Sequence, residues 1–138
     1  MVNRRPYSGQ FSKIVIAFDV GTTFSGASFC ILERNQVPEI QGVTKYPYQV
    51  NMSGGDSKVP SIIWYDQTGK VPEDAIGAGA VRDGIEDLAD TYTWVKVEWF
   101  KLRLRPQGLA GEDNAKILKH TPPLPFGLTI IDVFADFL

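Results

Sequence analysis

Hydrophobic positions in the first third of the chain fall into two runs that meet at a short polar turn. Residues 14–32 read IVIAFDVGTTFSGASFCIL, and their β-branched and aromatic side chains recur without a helical period. This pattern is typical of β-structure, and it predicts a buried strand over 13–19 and a partner strand over 25–32. The two strands are expected to form a hairpin closed at Gly-Thr-Thr, residues 21–23.

Further strands are predicted downstream. Asn35 marks a turn, and a third short strand is expected within 37–43. The segment VPSIIWYD at 59–66 predicts another strand, closed by a turn at 67–69. Residues 46–58, which include the cluster NMSGGDSK, have the composition of a loop.

The last ten residues, TIIDVFADFL, have the pattern of a helix. Thr129 and Asp132 stand three positions apart, as in a helix-opening capping box. Apolar residues then recur with helical spacing, and no glycine or basic last turn closes the pattern. We expect a helix that packs Phe137 and Leu138 against a core and that the end of the chain interrupts.

The composition is that of a globular protein without a strong charge bias. The chain has 138 residues, 43% of them hydrophobic and 22% charged, with a net charge of -2. These values predict one domain with its own core and no general attraction to nucleic acid or an anionic membrane. Cys30 is the only cysteine, which excludes an internal disulfide and fits a reducing compartment.

No apolar run reaches the roughly 18 residues of a membrane span, and the basic, polar N-terminus is a poor signal peptide. We therefore expect a cytoplasmic protein. A strand over 101–105 would have one basic face, on which single-stranded nucleic acid could stack. A solvated strand face is the preferred interpretation, because the chain is negatively charged overall.

The polar turn carries residues that suit a phosphate group. Gly21 would let the main chain turn with positive φ and approach a ligand closely. Successive N–H groups and the hydroxyls of Thr22 and Thr23 would form an anion site. Asp19 would repel a phosphate unless it held Mg²⁺, directly or through water. We interpret the turn as a Mg²⁺–phosphate site; a plain hairpin turn, in which these side chains satisfy their own backbone, is the alternative.

Residues 14–32 resemble the first phosphate motif of the superfamily of actin, sugar kinases and heat-shock ATPases. They are most similar to the seventy-kilodalton heat-shock chaperones (DnaK-like proteins) and their divergent relatives. Two later stretches agree in order. KVPSIIWYDQTGKVPEDAIGAGA at 58–80 resembles the chaperone segment in which a Pro-Ser pair opens a strand. WVKVEWFKLRLRP at 94–106 resembles the region with the lysine that reaches the γ-phosphate.

The resemblance covers about residues 13–105 and implies an α/β fold. That fold would be an incomplete ribonuclease-H-like (actin-like ATPase) lobe, with a strand-rich N-terminal half followed by helices. Residues 1–12 would be a flexible lead-in. Residues 13–138 would be a partial N-terminal lobe of the nucleotide-binding domain, truncated within a helix.

The resemblance also implies ATP and Mg²⁺ as cofactors. Asp19 would lie near the metal, and Gly21, Thr22 and Thr23 would contact the β- and γ-phosphates. Lys101 matches the catalytic lysine of the family, with Lys96 as the alternative.

The sequence holds no second Asp-x-Gly phosphate turn and no glycine-rich adenosine loop. We therefore expect an ATP-binding lobe that is not catalytically competent alone, and whether this chain is an enzyme stays open. Client polypeptides and co-chaperones would be partners only of a longer chain. Two alternatives remain: a non-catalytic interaction module on the same framework, and a fragment of a carbohydrate kinase of the same superfamily.

Overall fold

The computed structural model describes residues 4–49, 57–104, 119–125 and 127–138. They form a mixed α/β structure with an antiparallel, strand-rich N-terminal half followed by helices, as predicted. The strands are β1 (Lys13–Val20), β2 (Phe24–Leu32), β3 (Ile40–Gly42), β4 (Val59–Pro60), β5 (Ile62–Tyr65) and β6 (Val95–Glu98). The α-helices are α1 (Ile85–Tyr92) and α2 (Ile130–Phe137), and 3₁₀ helices span Gly79–Val81 and Phe100–Leu104.

The predicted hairpin is confirmed. β1 and β2 pair antiparallel, with Lys13 opposite Leu32 and Val20 opposite Ser25. β3 and β4 also pair with β2, so within the described residues β1 has β2 as its only partner and its outer edge is unpaired. The segment before β1 contacts the turn after β2, where Tyr7 N–H donates to Gln36 O at 2.9 Å and Asn35 N–H donates to Tyr7 O at 2.8 Å.

The prediction that β1 is buried is wrong. Every residue of the strand up to Asp19 is exposed, including Ile14 at 63% and Phe18 at 61% of full exposure. A continuous apolar strand is normally covered on both faces. Here the described helices pack elsewhere, so the apolar pattern correctly indicated a strand but not its environment.

The core lies instead around a second, two-stranded sheet formed by β5 and β6. Side chains alternate between the two faces of a strand, and both faces of β5 are covered. On one face, a buried cluster is formed by Ile63, Tyr65, Val97, Phe100 and Val133. On the other face, a second cluster is formed by Trp64, Ala75, Ala80, Ile85 and Ala89. The two helices therefore cover the shorter sheet.

The strand predicted over 59–66 is divided at Ser61. Its first part, β4, pairs with β2 of the large sheet, whereas β5 pairs with β6 of the small one. The turn predicted after it is confirmed, because Asp66 Oδ1 accepts hydrogen bonds from the backbone N–H groups of Thr68 and Lys70. One extended segment thus links the two sheets.

The capping box of α2 is confirmed. Thr129 Oγ1 accepts a hydrogen bond from the Asp132 N–H at 3.3 Å, and Asp132 Oδ2 accepts one from the Thr129 N–H at 2.8 Å. Phe137 packs against Phe100 with ring centroids 5.3 Å apart, as predicted, but Leu138 is exposed, so the prediction for that residue is wrong. A helix exposes one side to solvent, and Leu138 follows the last helical residue.

The strand considered over 101–105 is not formed in its described part, residues 101–104. Residues Phe100–Leu104 make a 3₁₀ helix, so their side chains do not alternate between two faces. Arg103 Nη2 donates to the carbonyl oxygens of Thr121 and Pro122, which engages this guanidinium within the protein. The basic strand face therefore has no structural basis.

Cys30 is free, and its side chain is buried. In the part of the chain that the structure describes, no helix is both long enough and apolar enough to cross a bilayer. The loop predicted over 46–58 lies partly outside the described residues, namely at 50–56.

Candidate phosphate-binding site

The turn between β1 and β2 lies where the hairpin meets the core. Val20, at the end of β1, packs against the buried cluster around β5. Ser61, which is 1% exposed, donates its N–H to Thr23 O at 2.8 Å and its hydroxyl to Gly21 O at 2.9 Å. The same hydroxyl oxygen lies 2.7 Å from Ser25 Oγ, which is also buried. The buried hydroxyls of Ser25 and Ser61 therefore fix the position of the turn.

Gly21 is required by sterics and not by the positive φ that the sequence predicted. Its φ lies outside the left-handed region. A Cβ at this position would lie 2.2 Å from the carbonyl oxygen of Phe24, which no side chain tolerates. Gly21 N–H donates to the same oxygen at 3.1 Å, so this donor closes the turn from within.

Thr22 and Thr23 provide the unengaged donors of the turn. Within the described residues, neither their hydroxyls nor their backbone N–H groups have a hydrogen-bond partner in the protein. Thr23 is exposed and Thr22 is half-buried. Adjacent N–H and O–H groups of this kind are suited to an anion.

Asp19 is paired with a lysine that the sequence interpretation missed. Lys58 Nζ lies 2.6 Å from Asp19 Oδ2, and both side chains are largely exposed. The hydrogen bond from Lys58 and then its charge, with a smaller contribution from Lys101, hold the pKa of Asp19 below its usual value. The carboxylate is therefore charged at neutral pH. Lys58 opens the segment that resembles the chaperones, but nothing in its spacing links it to residue 19.

The position of Lys58 depends on Gly26 of β2. A Cβ at Gly26 would lie 2.6 Å from the carbonyl oxygen of Ser57, so the missing side chain lets residues 57 and 58 pass close to the strand. Gln49 Nε2 then donates to Lys58 O at 2.8 Å. A cavity of about 250 Å³ lies beside the ion pair, lined in part by Asp19, Lys58 and Ser57.

Lys101 contacts the last residue of β1, next to the turn. Its ammonium group donates to Val20 O, although the two residues are 81 positions apart. Phe100 is fully buried and anchors the 3₁₀ helix from which Lys101 extends. Lys96 points elsewhere, with Nζ 3.6 Å from Glu98 Oε2 and 5.9 Å from the centre of the Trp64 ring. Of the two lysines that the sequence left open, Lys101 is the one at the turn.

The donor set fits a Mg²⁺–phosphate group. Among the described residues, no group of three or more His, Cys, Asp or Glu side chains could hold a metal by itself. Mg²⁺ is commonly bound by one or two carboxylates, with phosphate oxygens and water completing its coordination. Asp19 could supply that carboxylate, and Thr22, Thr23 and Lys101 could supply donors to phosphate.

A larger cavity of about 410 Å³ is lined in part by Phe18, Val20 and Phe137. Its lining includes no lysine or arginine, and its carboxylate, Asp74, is already bonded to Tyr48. Arg82 lies beside the cavity, but its guanidinium stacks over the Tyr48 ring at 5.3 Å and donates to Asp74 O.

Comparisons of the chain with models of protein families, with curated proteins and with solved structures find no match. The resemblance to the heat-shock chaperones therefore depends on the sequence motifs alone.

Proposed function

We propose that this chain is a nucleotide-binding lobe of a cytoplasmic, heat-shock-chaperone-like ATPase and holds the phosphates of Mg·ATP at the β1–β2 turn. The observation that carries the proposal is the convergence of Lys101 on a turn with two unengaged threonines. The resemblance leads one to expect a lysine near the phosphate turn. Lys101 lies there, although it is 81 positions from Val20 in the sequence.

Each part of the turn would have a distinct role. Thr22 and Thr23 would donate hydrogen bonds to phosphate oxygens, and the Lys101 ammonium would lie near their negative charge. Asp19 would hold the metal. When bound, Mg²⁺ would neutralise charge on the β- and γ-phosphates.

The proposal is for binding and not for autonomous hydrolysis. Phosphoryl transfer depends on positioning and on stabilising charges around the whole transferred group. The sequence supplies one phosphate turn and no adenosine loop. Client polypeptides and co-chaperones would be partners of a longer chain.

Thermal unfolding with and without Mg·ATP tests the proposal. Ligand at about one hundred times its Kd adds roughly 2.7 kcal/mol of stability, which is several degrees for a domain of this size. We expect the wild type to show this shift and Lys101→Met to lose most of it. Lys96→Met is the matched control and should keep the shift, because Lys96 points away from the turn. A wild-type melt that ATP leaves unmoved would argue against nucleotide binding.

A non-catalytic interaction module is the second candidate function. It is supported by the exposed apolar residues on β1, among them Ile14, Ile16 and Phe18. Exposed apolar patches of this kind often mark contact sites for other proteins. A cooperative melt without any response to nucleotide would favour this candidate.

A further inference from the structure

Three charged groups meet at the turn, and one of them has no role in the proposed ATP site as the resemblance describes it. Lys58 Nζ contacts Asp19 Oδ2 at 2.6 Å, and the Lys101 ammonium contacts Val20 O, the carbonyl of the next residue. The resemblance therefore does not account for the ion pair between Lys58 and Asp19.

The local charge is already favourable for an anion without a metal. One carboxylate and two ammonium groups leave a net charge of about +1 at the turn. A bare Asp19 would repel phosphate, and in a magnesium site the metal removes that repulsion. Lys58 already neutralises the same carboxylate.

A purely structural role for the Lys58 ammonium is a weak explanation. The backbone of this segment is already fixed, because Gln49 donates to Lys58 O and Val59 pairs with Ser25 in the sheet. The Lys58 side chain is 45% exposed, and an ion pair between exposed side chains adds little stability. The ion pair with Asp19 is therefore not needed to hold this segment in place.

We propose that Lys58 is a built-in cation of the phosphate site, which lets the turn hold a polyphosphate in the absence of Mg²⁺. Lys58 and Mg²⁺ compete for the Asp19 carboxylate, so metal binding releases the Lys58 ammonium towards solvent or phosphate. This inference rests on the proposed function, because it assumes that the turn binds phosphate at all.

Calorimetric titration with inorganic tripolyphosphate tests the inference, once in EDTA and once in excess Mg²⁺. We expect the wild type to bind in both conditions. Lys58→Met should bind at least about tenfold more weakly in EDTA, because it loses one charge-assisted contact, and should recover in Mg²⁺. Lys13→Met is the matched control and should bind like the wild type, because residue 13 lies six positions, or about 20 Å, from Asp19 along β1.

Asp19→Asn provides a second, opposite measurement. It removes the carboxylate and leaves both lysines, so the local charge rises to about +2. We expect tighter tripolyphosphate binding in EDTA and a loss of the response to Mg²⁺.

The outcomes separate the two proposals. If the wild type binds and Lys58→Met binds equally well in EDTA, the role of Lys58 is wrong and the phosphate site survives. If the wild type binds only in Mg²⁺, Lys58 does not substitute for the metal. If the wild type binds tripolyphosphate in neither condition, the proposed function fails, and the inference about Lys58 fails with it.

Discussion

The two sheets of this protein reverse the usual relation between strand length and burial. β1 and β2 are eight and nine residues long and rich in apolar side chains, yet β1 lies in solvent. β5 and β6 have four residues each and hold the core between two layers of helix. Whether a strand is buried therefore depends on the elements that pack on its sheet. The residues of the strand alone do not predict which elements those are.

The proposed phosphate site lies where these two regions join. The turn belongs to the exposed hairpin, but Val20 packs on the core and Ser61 bonds the turn to the start of β5. Lys101 extends from the core side. A binding site benefits when an accessible turn is held in place by packing and hydrogen bonds to the core.

The largest expected difference between the two regions comes from two matched phenylalanine substitutions. Phe100→Ala should reduce the free energy of unfolding by about 3–5 kcal/mol, because Phe100 is fully buried among Phe134 and Phe137. Phe18→Ala should change it by less than about 0.5 kcal/mol, because Phe18 is exposed. Urea unfolding followed by circular dichroism measures both. Equal losses would mean that β1 is covered in solution, and the contrast between the sheets would disappear.

A smaller effect is expected at the link between the sheets. Ser61→Ala removes the hydroxyl that bonds Gly21 O and leaves the buried Ser25 hydroxyl without this partner. We expect a loss of about 1–3 kcal/mol in the same urea experiment. The double variant Ser25→Ala/Ser61→Ala should lose less than the sum of the two single changes, because the two hydroxyls share one bond. Strict additivity would show that the pair does not act as a unit.

The smallest effect is expected at the cap of α2, on the covered side of the small sheet. Thr129→Ala should destabilise the protein by about 1 kcal/mol. Hydrogen bonds from Thr129 lower the pKa of Asp132 below its ordinary value of 3.8. The cap is therefore fully stabilising above about pH 4, and its contribution is lost as the pH falls through the lowered pKa. Thr129→Ala should flatten this part of the acid unfolding profile, and an unchanged profile would contradict the assigned role of the cap.

Much of the local structure was predictable, because it depends on residues close together in sequence. The hairpin, the turn after Asp66 and the Thr129–Asp132 cap all follow from short patterns. The division of one predicted strand at Ser61 did not follow, because it depends on two different partner strands.

The candidate site divides in the same way. Asp19, Thr22 and Thr23 are neighbours in a recognisable turn, and the resemblance pointed to Lys101, which contacts the end of β1. Lys58 could not be predicted, because its contact with Asp19 spans 39 positions and exists only once β4 has paired with β2. The prediction of a positive φ at Gly21 was also wrong, because glycine can be required by steric crowding as well as by φ.

The ion pair between Lys58 and Asp19 depends on Gly26, a residue without a functional group. It has no side chain, no charge and no hydrogen-bonding atom beyond its backbone, yet it decides how closely the Ser57–Lys58 backbone approaches β2. A methyl group there would move the Lys58 ammonium away from Asp19, although no charged residue of the sequence would be replaced. For protein engineering, residue 26 is thus a steric control over the electrostatics of the turn, and it can be adjusted without altering the charge of the chain.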